Sequence, residues 1–487
     1  MTELLIERQP NDRSSRLHRN NICLAIISAT VGIIVAPLFF RNSYSSPLTI
    51  LQKERIINEK IPASCSQNNY IIDNEIAISY FLQDVGQYLS KFQCTGSENN
   101  IETWEERLCI FYSTCYDVNT DRFHYFQSTQ RKAKPVFYDS KRRMIYGFSN
   151  KDGIKNFVSL ASRGEAPWSL IDGPYPSKNF TRLHHLHNLM QSTFAFQNIA
   201  HGLWEDLGSI SYSMDRMSIT DQNLVIMHLN KIPKTPLFET YHQYVIPALT
   251  KNPMVEFRTY VQSFHTKHVC FDRLIVGGQL SVFPKSKIKE NHGREALFYN
   301  WRSKIIKYNG FNPNFVPQKH HIIITNKSIS QWTHPGSKRH RAIVNLEEVE
   351  KFIKLTYPTI SVEVIEWHTI PFNKQIEKLL NTTILITPCG GVSLIIPMLP
   401  NGAHAIVMDY YVTKTAHGYL KGETSLMEGA LLNHIAHVRK QYYQIYGKQD
   451  YEFDYPGATD TREASSIIVN MTRLQLLIDK ALEEMKP

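Results

Sequence analysis

Two kinds of apolar pattern divide this chain. From Phe194 onward, short apolar runs of strand length alternate with longer stretches in which apolar positions recur every three or four residues. The short runs read as buried strands and the longer stretches as amphipathic helices. Ala195 to Ser213 is predicted as a helix, Leu224-Val-Ile-Met-His-Leu as a strand, Phe238 to Leu249 as a helix, and Val269 to Gly278 as a strand running into a turn. The alternation restarts after Lys319. Strands are predicted at His320 to Thr325, Ser361 to Glu366, Thr383 to Thr387 and His404 to Asp409, with helices at Asn345 to Leu355, Pro371 to Leu380 and Ser465 to Met485. Strands alternating with helices predict parallel sheets covered on both faces. Before Phe194 the pattern differs. Ile101 to about Gly164 is rich in aromatics and short β-like runs, and Asn42 to about Asn100 is polar with one candidate helix, Asn74 to Phe92.

Ile22 to Phe40 is uncharged and close to the length that spans a bilayer. Arg8, Arg13, Arg16 and Arg19 precede it, which predicts a cytosolic N-terminus and a luminal remainder. A cleaved signal peptide is the rival reading, but Leu38-Phe39-Phe40-Arg41 is a poor cleavage site. The predicted organisation is a cytosolic tail (1–21), a signal anchor (22–40), a luminal stem (41–100), an N-terminal domain (101–312) and a C-terminal domain (313–487). With that address, the sequons at Asn179, Asn326 and Asn470 become candidate N-glycosylation sites. A fourth, Asn381, is expected to be used least because it is close in sequence to a glycine turn. Of seven cysteines, Cys65, Cys94, Cys109, Cys115, Cys270 and Cys389 would face an oxidising lumen. Disulfides are expected chiefly among the first four, with the pairing left open.

The net charge is +10 and is spread along the chain. No nucleic-acid-binding module accompanies it, so the excess suits small anionic ligands and acidic glycans instead. The segment with most chemical promise is Pro388-Cys389-Gly390-Gly391, at the predicted carboxyl end of a strand. In open parallel sheets ligands bind at such ends, where glycine lets the backbone approach a phosphate. A tight turn needing glycine for its own geometry is the plain alternative. Arg339 and Arg341 stand in a basic loop after the strand at 320–325, and arginine presents a fork suited to phosphate oxygens.

Several motifs stand in a fixed order: His201-Gly-Leu-Trp-Glu205-Asp206, Cys270-Phe271 to Gly277, Arg341-Ala-Ile-Val-Asn345-Leu-Glu-Glu348, Gln375, Cys389-Gly390-Gly391, and Leu399-Pro400-Asn401-Gly402-Ala403. Their order and approximate spacing, over about Phe194 to Pro487, resemble glycosyltransferase family 61. The resemblance implies a GT-B-like α/β fold, with two Rossmann-like domains and a cleft between them. It implies a single-pass type II enzyme of the Golgi or ER membrane that transfers a sugar of the xylose, arabinose or N-acetylglucosamine type. The sugar would pass from a UDP-sugar to a glycan or glycoprotein hydroxyl, with inversion. The donor would lie on Arg339, Arg341, Gln375, Cys389, Gly390, Gly391 and Ser393, with Asp409 and Glu428 as acids toward the ribose or sugar. The base would come from His201, Glu205 and Asp206.

His201 and Glu205, at i and i+4, share a face of an ideal α-helix, from which Asp206 points away. No Asp-x-Asp follows a strand, and Asp450-Tyr-Glu452-Phe-Asp454 reads as a solvated loop, so no metal or other cofactor is expected. The chain departs from the family pattern where the turn carries Cys389 in place of His. A thiol is the weaker donor and carries no positive charge near neutral pH. Two readings follow: an active transferase, or an inactive relative that binds glycan or a partner protein.

Overall fold

The computed structural model describes residues 89–94, 108–127, 135–138, 144–146, 168–173, 176–190, 198–228, 231–232, 234–277, 295–327, 329, 334–337, 339–409, 432, 434–461 and 464–485. All of them lie in one unit, Tyr70–Pro487. The expected anchor at 22–40 lies outside the described residues. Among those that are described, no helix is long and apolar enough to cross a membrane.

The N-terminal half is built on strands β1 (Lys91–Cys94), β2 (Leu108–Asp117), β3 (Arg122–Gln127), the small hairpin β4 (Pro135–Tyr138) and β5 (Met144–Tyr146), β6 (Trp168–Asp172), β7 (Phe180–Met190), β8 (Val225–His228), β9 (Val255–Glu256) and β10 (His268–Gly277). Apart from β4 and β5 they form one eight-stranded sheet, ordered β6-β3-β2-β10-β7-β8-β9 with β1 beside β2. β10, β7, β8 and β9 are mutually parallel, whereas β2 runs antiparallel to β1, β3 and β10. The parallel, Rossmann-like character belongs to the part from β7 onward, and β2 before it runs antiparallel to its neighbours. The expected stem also ends differently, because Lys91 to Cys94 are a strand of this sheet rather than helix or linker. Cys115 and Cys270 face each other across β2 and β10 and form a disulfide, which pairs one of the first four luminal cysteines with a later one.

The C-terminal half matches its pattern more closely. β11 (His321–Thr325), β12 (Ser361–Ile365), β13 (Ile384–Pro388), β14 (His404–Asp409) and β15 (Arg439–Gln444) form a sheet ordered β12-β11-β13-β14-β15, parallel throughout. Ile322 to Ile324 and Ile384 to Ile386 are fully buried, as continuous apolar runs covered on both faces should be. The strand order is that of a doubly wound sheet whose direction of winding reverses between β11 and β13. Ser465 to Met485 is not one helix: β17 (Ser465–Ile467) pairs with β16 (Tyr451–Phe453), and the helix starts only after Asn470, which caps it by accepting from Arg473 N.

Helices join the halves. The first is α1 (Leu207–Arg216), entered through a π turn at His201–Asp206; α2 (Pro236–Tyr244) and α3 (Phe257–Gln262) follow it. α4 (Glu295–Tyr308) precedes β11, α5 (Leu346–Thr356) and α6 (Phe372–Leu380) flank β12, and α7 (Met471–Glu484) follows β17. Within α4, Trp301 Nε1 donates to Leu203 O at 2.8 Å. Its neighbour Arg302 is fully buried and donates to the carbonyls of Pro397, Pro313 and Leu399 at 2.7, 2.9 and 2.8 Å. Burial lowers the Arg302 guanidinium to about 10, with the Tyr299 ring stacked 5.1 Å away. A buried arginine of this kind survives because its planar fork meets one carbonyl per nitrogen.

Candidate active site

The chain reverses its winding between β11 and β13, and the carboxyl ends of those two strands carry the most unusual backbone of the site. Pro388 ends β13, and Gly390 follows with φ 105° and ψ −163°, a conformation essentially reserved for glycine. Gly391 then opens a 3-10 helix, Gly391–Met398. A Cβ placed on Gly390 would stand 3.2 Å from Lys327 Nζ and 3.3 Å from both Cζ and Nη2 of Arg341. Two cations therefore lie directly over the glycine. Lys327 comes two residues after β11, and its Nζ donates to Cys389 O at 3.2 Å. A Cβ on Gly391 would meet Asn198 Oδ1 at 2.7 Å, so the N-terminal half closes on the same turn.

The basic loop is held by the β16–β17 hairpin. Arg341 has φ 49°, uncommon for a residue with a Cβ, and its N–H donates to Asp454 Oδ2 at 2.9 Å. The other Asp454 oxygen accepts from Ser466 Oγ, whose oxygen accepts from Ala342 N at 3.0 Å. Arg339 pairs with Glu452, and Asp450 pairs with Arg473. The alternating acids are therefore not a solvated loop. Asp450 and Asp454 are buried, and the segment fixes the arginines of the loop. Between the arginines, His340 is lowered to about 4, first by burial and then by the charges of Lys327 and Arg341. Near neutral pH it is a neutral imidazole between two cations.

The π turn at His201–Asp206 touches this site. Trp204 Nε1 donates to Leu394 O at 2.9 Å, which joins the π turn to the 3-10 helix. Asn198 Oδ1 accepts from Ala200 N at 3.0 Å and starts the helical segment. Gly202 is required there because a Cβ would meet the Tyr241 hydroxyl at 2.2 Å. The π turn changes the expected geometry. Its closure from the Leu207 N–H to Gly202 O is a five-residue step, and such a step brings position 206 beneath position 201 rather than away from it. Asp206 is buried at 3% exposure, close enough to the Tyr241 hydroxyl to help raise its pKa, with burial the larger cause. For His201, Glu205 and Asp409 the structure describes the backbone alone, with Asp409 closing β14 next to the turn.

Arg341, Gly390, Gly391 and the His201–Asp206 turn are therefore brought together. Other expected residues have different work. Gln375 is buried in α6 and donates to the carbonyls of Trp367 and Ile370 at 2.7 and 3.0 Å, which ties its amide nitrogen into the core. Ser393 is fully buried and its hydroxyl donates to Gly390 O at 2.7 Å, closing the turn. Cys389 is 1% exposed and its side chain belongs to the main apolar core, so the thiol does not line the site. Arg339 is drawn off by Glu452, and Glu428 lies outside the described residues. Asn381 follows α6, before β13, and so lies at the far end of that strand from Gly390; the sequon beside the site is Asn326, next to Lys327. Asn179 is exposed, with its side-chain oxygen accepting from Lys267 N at 3.2 Å.

Lys327, His340 and Asn198 were missed in the sequence. Lys327 had a signal: it follows an apolar strand by two residues, at the end where ligands bind. Asn198 had none, because only the folded chain places it on Gly391.

The family model described as Glycosyltransferase 61 matches residues 183–406. The matched span begins in β7, where the first sheet turns parallel, and ends in β14, one strand beyond the glycine turn. No curated protein matches the chain. Over residues 183–406, then, the chain is similar to glycosyltransferase family 61.

Proposed function

We propose that this glycosyltransferase moves a sugar from a UDP-sugar, of the xylose, arabinose or N-acetylglucosamine type, to a hydroxyl of a glycan or glycoprotein, with inversion. In this reading the architecture is GT-B-like. The C-terminal sheet holds the nucleotide and the N-terminal half the acceptor. The observation that carries the reading is the pair of cations 3.2–3.3 Å from where a Cβ on Gly390 would stand, at the winding reversal of a parallel sheet. Such a turn gives a diphosphate both close backbone and positive charge.

Inversion is a single displacement. A base on the π turn, His201 or Glu205, takes the acceptor proton as the hydroxyl oxygen bonds to the anomeric carbon. The bond from that carbon to the diphosphate oxygen breaks with its electron pair. Lys327 and Arg341 meet the charge that develops on the leaving group, and neutral His340 can donate one further hydrogen bond. These side chains supply the charge that a metal supplies in other transferases, so donor binding is proposed to need no metal. Asp206 is too enclosed to touch an acceptor and acts by positioning the turn. The Cys115–Cys270 disulfide supports an oxidising, secretory-pathway location. Attachment to a Golgi or ER membrane rests on the sequence of Ile22 to Phe40.

The test is calorimetric titration with UDP, followed by a screen of UDP-sugars for donor hydrolysis. UDP should bind equally in EDTA, and Lys327→Ala and Arg341→Ala should each weaken it about tenfold or more, since a lost charge-assisted hydrogen bond is worth roughly 1.5–3 kcal/mol. Cys389 at the position of the family's His favours the inactive relative as the second reading. Absence of UDP binding by the wild-type chain would decide for it.

A further inference from the structure

Away from the glycine turn, β2, β3 and β10 bring together three metal-ligating side chains that the transfer reaction does not use. Asp117 ends β2, His124 is in β3 and His268 begins β10. Each offers one ligand atom, and all three atoms lie within 4.8 Å of one another. Asp117 is 3% exposed. Its Oδ1 accepts from the N–H groups of Asn119 and Thr120 at 2.9 and 3.2 Å, which leaves Oδ2 directed at His268 Nε2, 3.5 Å away. That separation is long for a hydrogen bond. It is close to the edge of a tetrahedral site, where ligand atoms about 2.0–2.1 Å from the metal stand about 3.4 Å apart. His268 Nδ1 is buried with no hydrogen-bond partner among the described residues. The His124 and His268 ring centroids stand 5.6 Å apart, with the planes tilted by 52°.

The surroundings are those of a prepared site. Cys115 pairs with Cys270 next along the same strands, so the β2–β10 register beside the cluster is locked covalently. The backbone bonds to Asp117 Oδ1 do what outer-shell partners do for metal-binding carboxylates: they fix the direction of the free oxygen. We propose that Asp117, His124 and His268 form a site for a zinc-class divalent transition metal, completed by water. Two imidazoles and one carboxylate select zinc, copper or nickel over magnesium or calcium, which take oxygen ligands. Lys267 and Arg122 stand close enough to His124 to act on its charge, so a cation here must be held by coordination rather than by net charge. The metal pins the β2–β3 turn to the start of β10. It is separate from the donor site and independent of the glycosyltransferase reading.

The experiment uses the full-length chain without a polyhistidine tag, stripped of metal and titrated with Co²⁺ and then Zn²⁺. One Co²⁺ per chain should bind with the strong visible absorption of a four-coordinate centre, and stoichiometric Zn²⁺ should displace it. The His124→Gln/His268→Gln pair should abolish that band. Asp117→Asn can keep the backbone bonds to Oδ1 and should weaken Zn²⁺ binding tenfold or more. UDP titrations should be the same with and without Zn²⁺. Absence of the band in the wild-type chain would overturn the proposal. So would an undiminished band in the double variant, or an Asp117→Asn protein that is folded by circular dichroism and binds Zn²⁺ with wild-type affinity.

Discussion

Replacing Gly390 with alanine separates backbone strain from ligand chemistry. At φ 105° and ψ −163° the residue occupies a region that side chains avoid, and holding a non-glycine residue there costs on the order of 1–3 kcal/mol. The new methyl group also meets Lys327 Nζ at 3.2 Å and the Arg341 guanidinium at 3.3 Å, closer than ordinary contact. Both are ends of flexible chains and can retreat by a few tenths of an ångström, but retreat takes them off the turn. The expected outcome is a stability loss of about 1–3 kcal/mol in urea unfolding, with UDP affinity down by about tenfold or more. Gly402→Ala is the control. Its φ of 81° is also left-handed, but a Cβ there meets nothing within 4 Å. It should lose about 1–2 kcal/mol of stability and no UDP affinity. A Gly390→Ala protein as stable as wild type, or one that binds UDP as well as Gly402→Ala does, would refute the placement of the cations over the turn.

Arg302→Met should cost about 3 kcal/mol or more in chemical denaturation, because three buried carbonyls lose their donor, and Arg302→Lys should recover less than half of it. Cys389→His should lose about 1–3 kcal/mol of stability from overpacking a position that is 1% exposed, and gain no UDP affinity; tighter UDP binding would show that residue 389 faces the ligand after all. His187 is 1% exposed and lowered to about 4, chiefly by burial, with its ring between His185 O and the Tyr260 hydroxyl. The unfolded chain therefore binds the extra proton first as pH falls. Stability should be full above about pH 6.5 and decline toward pH 4, by up to roughly 3 kcal/mol from this residue. His187→Gln should flatten that slope, and an unchanged slope would show that the acid sensitivity lies elsewhere.

The C-terminal sheet was legible because its strands are isoleucine-rich runs covered on both faces, which nothing but a buried parallel strand explains well. The glycine turn was legible for a related reason: it interrupts one of those runs at the end where the chain must reverse. The N-terminal sheet was less so. β2 and β10 carry similar aromatic and apolar patterns whichever way they run, and direction is set by pairing, not by periodicity. The π turn was invisible, since His201 to Asp206 reads as ordinary helix and its extra residue is imposed by Tyr241 packed over Gly202.

The partners of the turn were hardest to see, and the reason is topological. Lys327 is 63 residues before Gly390 in the sequence, yet it stands over that glycine because Ile324 is registered against Ile386 in adjacent parallel strands. Arg341 arrives by another route, through Asp454 and the hairpin more than a hundred residues later. The same geometry resolves the cysteine. The side chain of residue 389 points into the core while its carbonyl accepts from Lys327. Position 389 therefore contributes to the site through its backbone. In the proposed reading, the charge that a histidine there would bring comes instead from Lys327, which that carbonyl helps to hold, and from Arg341.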